Sequence, residues 1–471
     1  MSIARKAPLM PCRMKLFIAT IFVVVSTIAS SQTITPARKA FDLWLAAFNS
    51  DDRATISAFW KDHNPGWKGI DRELSVSRES GGLTLVKVLS DDGAHLEAIV
   101  ADAGEAFLGV TVRMNSQAGE AAIERIDIHG AEGSQEGLIP HLATDGELVK
   151  AVQGELDEMV RADKFAGTVL IVRHGKELVG EARGEADRLT HRKIDMDTQF
   201  RLGSMNKMFT AVGVLQLVEK KKLRLEGTIA EYWPDYPNQD VARKVTVRNL
   251  LMHTGGTGDI FTPEYEARRL EVKTLQDYVA LYGKRALEFE PGTQHRYSNY
   301  GFVILGVLIE KASGLSYYDY VRKYIYAPAG MKDTDSKPES DNIAKLAAGY
   351  MPSAEGWKSN ADTLPYRGTS AGGGYSTVGD LVRFAEALSS GKLVGLSWVR
   401  EATREQQTET RYGYGFETDG NYWGHSGAAP GINGELRVYP KSGYVIAVLS
   451  NLEPPAAMRI AAFAGHRAPE R

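Results

Sequence analysis

Two strand patterns lie far apart in this chain and point to one shared sheet. Residues 167–172 and 177–182 read as a hairpin, and residues 435–439 and 444–449 read as another. A long, mostly helical stretch separates them. Strands at the two ends of a domain bury their apolar faces most simply by pairing in one sheet with helices packed on it. We therefore expect an α+β fold: an antiparallel sheet flanked by helices, with a helical subdomain between its two ends.

A shorter α+β pattern precedes the first hairpin. Thr35-Pro36 is a good helix cap followed by a first-turn proline, and a second short helix is predicted for residues 53–60. Four strand patterns then follow, at residues 83–89, 96–100, 107–114 and 123–128. Two helices followed by a curved antiparallel sheet resemble the nuclear-transport-factor-like, or SnoaL-like, cone fold. The resemblance implies a module that holds a small ligand in the cone or pairs with a partner; a packing or spacing module fits the pattern equally well.

The chain begins with a pattern typical of a secretory signal. Basic residues precede an apolar run over 16–28, and the small residues 29–31 suit a cleavage site. The run is too short and wrongly flanked for a good membrane span. The only cysteine, Cys12, would leave with the signal, so the mature chain would contain no disulfide. We expect an exported protein, periplasmic or extracellular.

Three segments follow from these patterns. Residues 1–31 are the predicted signal peptide, 32–135 the cone-shaped α+β domain, and 136–471 a larger domain. A polar, glycine-containing stretch at residues 131–137 is typical of a linker and separates the two domains.

Composition excludes several function classes. The net charge of -3 provides no basic face for nucleic acid. The ten histidines form no His-Glu-x-x-His motif and no Cys/His cluster, so the sequence implies neither a metal nor a cofactor. A small-molecule or peptide substrate is the expected partner, and the oligomeric state stays open.

The first piece of chemistry is Ser204-x-x-Lys207, at the predicted start of a helix. Residues at i and i+3 share a helix face, so a lysine of lowered pKa could take the proton of the serine hydroxyl. Unpaired N–H groups at the helix start favour negative charge developing near Ser204. The alternative is a capped amphipathic helix whose lysine is solvated.

Two further clusters follow along the chain. Tyr297 and Asn299 are two residues apart before an apolar helix, so their side chains can point the same way; Ser298 or Asn299 capping the helix is the alternative. Near the end, His425-Ser426-Gly427-Ala428 precedes the last hairpin. A strand glycine leaves room for a substrate backbone and for an N–H directed at an oxyanion. His425 can be cationic, although a single histidine is more often structural.

Together, Ser-x-x-Lys, Tyr-Ser-Asn and His-Ser-Gly in this order resemble the serine β-lactamase and penicillin-binding-protein superfamily, in its class C β-lactamase and D-alanyl-D-alanine carboxypeptidase branch. The resemblance covers about residues 147–455. The phrases at 253–256 and 371–377 also resemble the family, and we interpret them as turns that frame the cleft. The third motif departs from class C, which has lysine where His425 stands here.

The resemblance implies a set of roles. Ser204 is the nucleophile, Lys207 and Tyr297 share the proton transfers, and the N–H groups of Ser204 and Ala428 form the oxyanion hole. Asn299 orients the substrate, and His425 and Ser426, followed by Gly427, line the side where a carboxylate would sit. Whether Lys207 or Tyr297 is the base stays open. Because an unperturbed histidine has a pKa of ~6.5, we expect His425 to be charged part of the time and to bind a substrate carboxylate more weakly as pH rises.

The sequence thus predicts an exported serine hydrolase that forms an acyl-enzyme on Ser204, with carboxypeptidase-like, D-aminopeptidase-like or esterase activity. A class C-like β-lactamase is one alternative. A penicillin-binding or sensor module that acylates without turnover is the other.

Overall fold

The computed structural model describes residues 34–102, 107–115, 122–130, 138–353, 356–407 and 410–470. The predicted signal peptide, with Cys12, and the predicted linker at 131–137 lie outside the described residues. Over the described ranges, no helix is long and apolar enough to cross a bilayer.

The N-terminal region consists of three helices followed by an antiparallel sheet. The elements are α1 Pro36–Phe48, α2 Arg53–His63, α3 Ile70–Ser80, β1 Leu83–Asp91, β2 His95–Asp102, β3 Phe107–Met114 and β4 Ile123–Gly130. The strands pair in the order β1-β2-β3-β4. Phe41, Trp44 and Phe48 of α1 are buried in the core between helices and sheet. Helices before an antiparallel sheet match the predicted order.

Helix α3 was not predicted. Its sequence is polar and no side chain caps its first turn. Tertiary contacts hold it instead: the buried Glu73 accepts hydrogen bonds from the indole nitrogens of Trp44 at 2.7 Å and Trp60 at 2.6 Å. A helix anchored by a buried carboxylate has no apolar periodicity for sequence reasoning to detect.

The larger region alternates strands and helices. Its strands are β5 Gly167–Arg173, β6 Lys176–Arg183, β7 Glu185–Asp187, β8 Arg192–Lys193, β9 Phe200–Arg201, β10 Tyr350–Ser353, β11 Gly356–Ser359, β12 Tyr375–Ser376, β13 Glu417–Thr418, β14 Trp423–Ala429, β15 Ile432–Tyr439 and β16 Tyr444–Ser450. Its helices are α4 Asp145–Arg161, α5 Asn206–Glu219, α6 Ile229–Tyr232, α7 Gln239–Lys244, α8 Val247–Leu251, α9 Pro263–Arg268, α10 Leu275–Tyr282, α11 Asn299–Ser313, α12 Tyr317–Val321, α13 Ala327–Ala329, α14 Val378–Ser389, α15 Leu396–Thr403 and α16 Ala456–Arg467.

One antiparallel sheet joins the two ends of this region, as the hairpins predicted. Its described strands have the order β13-β14-β15-β16-β5-β6, and β16 pairs with β5 with Val448 opposite Val169. β5 and β16 are buried almost throughout, as expected for the centre of a covered sheet. The predicted α+β fold is confirmed.

The sheet is covered on both faces. On β15, the side-chain oxygen of Asn433 accepts the backbone N–H of Ala457 in α16, while a Cβ on its neighbour Gly434 would meet Met205. Successive strand residues point to opposite faces. α16 therefore lies on one face, and the turn that carries Ser204 lies against the other.

Candidate active site

Ser204 lies in a tight turn between β9 and α5. The turn is a single 3-10 segment, Gly203–Met205, and Gly203 has φ +55, a left-handed conformation that favours glycine. Backbone hydrogen bonds to the 371–377 segment hold it on both sides: Leu202 N donates to Gly374 O, and Gly373 N donates to Gly203 O, each at 3.0 Å. The nucleophile candidate is thus fixed by backbone rather than by a mobile loop.

Helix α5 is buried on all sides rather than amphipathic. Residues 206–217 are all buried, and Lys207 has no exposed surface. The alternative of a solvated lysine is therefore wrong. The helix passes through the interior between the sheet and the helical subdomain, and its lysine is confined to the one polar cluster that surrounds it.

Lys207 Nζ has three oxygen neighbours. It lies 3.2 Å from Ser204 Oγ, 2.7 Å from Asn299 Oδ1 and 2.5 Å from the carbonyl oxygen of Ala371. Burial lowers the pKa of Lys207 to about 7, although the negative charges of Asp259 and Glu417 act in the opposite direction. The oxygens of Asn299 and Ala371 only accept hydrogen bonds, so each binds one N–H group of the Lys207 amine. In the neutral amine, the remaining lone pair is then directed at the serine hydroxyl.

Tyr297 and Asn299 are placed by the start of α11. The Ser298 side chain caps this helix by accepting the N–H of Gly301, so of the two predicted cap candidates Ser298 is the cap. Tyr297 and Asn299 on either side of it are available to the cleft. The Tyr297 hydroxyl hydrogen-bonds with Ser204, and burial raises the pKa of Tyr297 well above its usual value. Tyr297 as a residue is 38% exposed, and the centroid of its ring lies 4.6 Å from Lys207 Nζ. The phenol is therefore a neutral donor over the working pH range.

Asp259 orients Asn299. The Asn299 amide nitrogen donates to both carboxylate oxygens of Asp259, at 3.0 and 3.2 Å, which directs its oxygen at Lys207. Asp259 also borders a cavity of about 210 Å³ beside Tyr297, whose other lining residues are Gly256, Thr257, Gly258, Glu288, Phe289, Arg296 and Ser298.

Strand β14 lies directly against the Ser204 turn. A Cβ on Gly427 would collide with the carbonyl oxygen of Leu202, and a Cβ on Gly203 would come within 3.1 Å of the Ala428 nitrogen. The two glycines let the backbone of the strand approach the backbone before Ser204. This brings the backbone nitrogen of Ala428 close to the turn that carries Ser204, and its place in an oxyanion hole stays a prediction.

The expected partial charge on His425 is wrong. The ring is buried, and burial together with the Lys207 charge lowers the pKa of His425 to about 3. Its Nδ1 lies 2.6 Å from the carbonyl oxygen of Ser426, which only accepts, so Nδ1 carries the proton. Nε2 of the neutral ring then accepts from the Tyr412 hydroxyl at 3.0 Å. His425 is a neutral structural residue near neutral pH and does not supply a charge for a carboxylate.

Both hydrogen-bond donors of Ser426 bind a side chain of the same chain. Its hydroxyl donates to Glu417 Oε1 at 2.8 Å, and its backbone N–H donates to Glu417 Oε2 at 3.1 Å. Glu417 lies on the edge strand β13, opposite Gly424. Burial raises the pKa of Glu417, while both Ser426 bonds and the charges of Arg437 and Lys207 lower it.

Five groups of the site lie outside the three motifs. Four are side chains brought from distant segments, and one is a main-chain oxygen: His253, Asp259, Tyr412, Glu417 and the Ala371 carbonyl. The phrases at 253–256 and 371–377 do frame the cleft, as interpreted. The buried His253 also lies beneath Tyr297, with ring centroids 4.2 Å apart, and Ala371 contacts Lys207 directly. Membership of these family-like phrases was the only sequence signal for these two residues.

Comparisons with known proteins agree with this geometry. The family model described as Beta-lactamase matches residues 152–468. A penicillin-binding protein of Bacillus subtilis (strain 168) is 31% identical over 333 residues, covering 64% of this chain and 72% of the relative. Esterase EstB of Burkholderia gladioli is 27% identical over 311 residues, covering 59% and 78% of the two chains.

Solved structures show the same likeness. A penicillin-binding protein from Bacillus halodurans superposes with TM-score 0.60 and 28% identity, over 66% of this chain and 99% of that one. The D-amino acid amidase from Ochrobactrum anthropi SV3, complexed with L-phenylalanine amide, gives TM-score 0.58 and 25% identity, over 68% and 98%.

Proposed function

The chain belongs to the beta-lactamase family and is a serine hydrolase of that family, and on this premise we propose that it cleaves amide or ester bonds through an acyl-enzyme on Ser204. The observation that carries the proposal is the buried Lys207 amine, 3.2 Å from the Ser204 hydroxyl and with a pKa of about 7. A lysine of ordinary pKa would be protonated at neutral pH and could not take a proton.

Lys207 is assigned the role of general base, and Tyr297 that of proton relay. Neutral Lys207 takes the Ser204 proton as Oγ bonds to the substrate carbonyl carbon. The carbonyl electrons move to oxygen and return as the bond to the leaving amine or alcohol breaks. The proton passes from Lys207 through the Tyr297 hydroxyl, which contacts Ser204, to the leaving group. Water then attacks the ester by the same proton route in reverse and frees Ser204.

The oxyanion is stabilised by the backbone N–H groups of Ser204 and Ala428. The glycines at 203 and 427 support this role because they allow β14 to approach the turn closely. Asn299, held by Asp259, keeps Lys207 in position and presents its amide to the substrate.

The proposed substrates are small esters, or amides of the kind cleaved by carboxypeptidases and D-aminopeptidases. Relatives named as penicillin-binding proteins, an esterase and a D-amino acid amidase support both bond types. A class C-like β-lactamase is less well supported, because the neutral His425 stands where class C has lysine. A sensor that acylates and stalls is the remaining alternative.

A substrate panel tests the proposal. Purified protein and Ser204→Ala are assayed with a chromogenic ester, a D-amino acid amide, a D-alanyl-D-alanine peptide and a chromogenic penicillin. We expect steady turnover of at least one ester or amide, lost in Ser204→Ala. A single burst without turnover would assign the sensor function, and full activity in Ser204→Ala would refute the proposed nucleophile.

We also propose that the protein is exported after removal of residues 1–31, and that residues 32–135 form a separate SnoaL-like module. The charge pattern at the N-terminus supports the first proposal. The helices followed by the β1-β2-β3-β4 sheet support the second.

A further inference from the structure

The side of the cleft formed by His425 and Ser426 contains a carboxylate of the protein itself. Glu417 is only 29% exposed, and its two oxygens accept the hydroxyl and the backbone N–H of Ser426. Oε1 also lies 3.3 Å from Nδ1 of His425. The two donors of Ser426 favour the ionised form of Glu417, whereas burial raises the pKa of this carboxyl.

Glu417 is close enough to act on the reacting groups. Its backbone pairs with that of Tyr412, whose hydroxyl bonds to His425, and its negative charge raises the pKa of Lys207 and Tyr297. Asp259 places a second carboxylate on the opposite side of Lys207, next to Asn299. The carboxylates of Glu417 and Asp259 thus both lie near Lys207, and the cavity beside Tyr297 adds the ion pair of Arg296 and Glu288.

Two basic side chains near Ser426 are not available to a substrate as free positive charges. His425 is neutral, and the buried Arg437 is paired with the buried Glu435 at 2.8 Å. The Ser426 hydroxyl, which would otherwise donate to a substrate carboxylate, already donates to Glu417. A substrate carboxylate placed beside Ser426 would meet a like charge without gaining a free donor, whereas a cation there would gain a partner.

We propose that Glu417 is a specificity-determining residue that excludes carboxylate-bearing substrates and favours neutral or cationic ones on the Ser426 side of the cleft. The inference rests on the proposed serine-hydrolase function and names its substrate class. It reverses the sequence-based expectation that this side of the cleft attracts a carboxylate. Among the proposed substrates, it favours esters and D-aminopeptidase-type amides over carboxypeptidase-type peptides with a free C-terminal carboxylate.

Three acetate esters that differ mainly in charge provide the test. O-Acetylglycolate and O-acetylglycolamide carry a carboxylate or a neutral amide at the same carbon of the alcohol, and acetylcholine carries a quaternary ammonium one bond further along. Acetic acid release by the full protein is followed at constant pH near 7.5. We expect kcat/KM for the carboxylate ester to be at least about tenfold below that for the neutral ester, and acetylcholine to equal or exceed the neutral ester. Equal or faster hydrolysis of the carboxylate ester would overturn the inference.

Variants assign the effect to Glu417. In Glu417→Gln we expect the carboxylate and neutral esters to differ by less than about threefold, whereas Glu417→Asp, which keeps the charge, should retain the wild-type order. Glu158→Gln removes an equal charge from the exposed face of α4, on the other side of the sheet, and serves as the matched control. An unchanged order in folded Glu417→Gln would overturn the assignment.

Two further results, an unfolded variant and the absence of any ester hydrolysis, are interpreted separately. Circular dichroism checks whether Glu417→Gln is folded. If it is unfolded, kcat/KM for the three esters is compared at low and high NaCl in the wild type and in Glu417→Asp. An electrostatic preference predicts that the ratio between the neutral and the carboxylate ester becomes smaller at high salt, because salt screens the charges. If none of the three esters is hydrolysed faster than by Ser204→Ala, the proposed function fails rather than the specificity.

Discussion

At the scale of single residues, burial sets the protonation states on which the reactivity of the site depends. Lys207 has no exposed surface, and the cost of charging it in the interior lowers its pKa to about 7. The same effect makes His425 neutral and keeps the Tyr297 phenol protonated. One buried cluster thus contains a base, a neutral donor and an uncharged histidine side by side.

The first residue-scale prediction is a pH profile. Only the neutral form of Lys207 accepts a proton, so kcat/KM for a neutral ester should rise about tenfold per pH unit below pH 7 and level off above it. Initial rates of a neutral chromogenic ester between pH 5 and 9 measure this. A profile that is flat through pH 7 would show that a different group is the base.

A second prediction concerns the Tyr297 hydroxyl. Removing the phenol proton while keeping the ring, in Tyr297→Phe, should lower kcat for an amide by about 10²-fold or more. An ester of a good leaving group needs less protonation and should lose less. Steady-state kinetics with a p-nitrophenyl ester and a matched amide compare the two losses. Equal losses for both substrates would argue against proton relay to the leaving group.

The residues that sequence reasoning found are those whose geometry is local. Ser204 and Lys207 meet because i and i+3 share a helix face, and Tyr297 lies two residues from Asn299 at a helix start. Asp259 and Glu417 reach the same cluster through tertiary packing, so no spacing indicated them. The predicted charge of His425 was wrong for the same reason, because the burial that makes it neutral depends on the whole fold.

At the scale of elements, the site depends on how closely β14 approaches the turn before α5. Gly427 faces the Leu202 carbonyl oxygen with no room for a Cβ, and Gly203 has a positive φ. The hairpins and their shared sheet were predictable from apolar strand segments joined by turn residues. α3 was not, because tertiary contacts rather than an amphipathic pattern hold it. The helix α5 was predicted, but its burial on all sides was not.

A glycine substitution tests this contact. Gly427→Ala should push β14 away from the turn and lower kcat/KM by about 10²-fold, since a displacement of about 1 Å can cost that much. Overpacking should also cost about 1–3 kcal/mol of stability. Chemical denaturation and ester kinetics on the same preparation separate the two effects.

The matched control is Gly154→Ala in α4. A Cβ there meets nothing within 4 Å, so this variant should keep full activity and gain about 0.5–1 kcal/mol. Unaltered kinetics in Gly427→Ala would contradict the close approach of β14.

At the scale of the whole molecule, the described residues have two separate hydrophobic cores. One lies within residues 37–126, and the other extends from Leu148 to Ala468 and surrounds the site. The N-terminal region touches the larger one beside α16, where the rings of Phe107 and His466 stack with centroids 5.8 Å apart. A cavity of about 510 Å³ lies between the two regions, bordered by Leu83 and Arg459 among others.

Because the site lies entirely in the second core, the N-terminal region should be dispensable for chemistry. We expect a truncated chain of residues 138–471 to fold and to hydrolyse a small ester within about threefold of the full protein. Gel filtration and ester kinetics test this, with Ser204→Ala in the truncated chain as the control. Insolubility or lost activity would show that the two regions share an essential interface.

Covalent trapping tests the central claim, acyl transfer to Ser204, most directly. The protein is mixed with a chromogenic ester or a fluorescent penicillin, quenched in acid, and analysed by intact mass and peptide mapping. We predict the addition of one acyl group per chain, mapped to Ser204 and absent from Ser204→Ala. An adduct on another residue, or hydrolysis with no adduct and full activity in Ser204→Ala, would contradict the account.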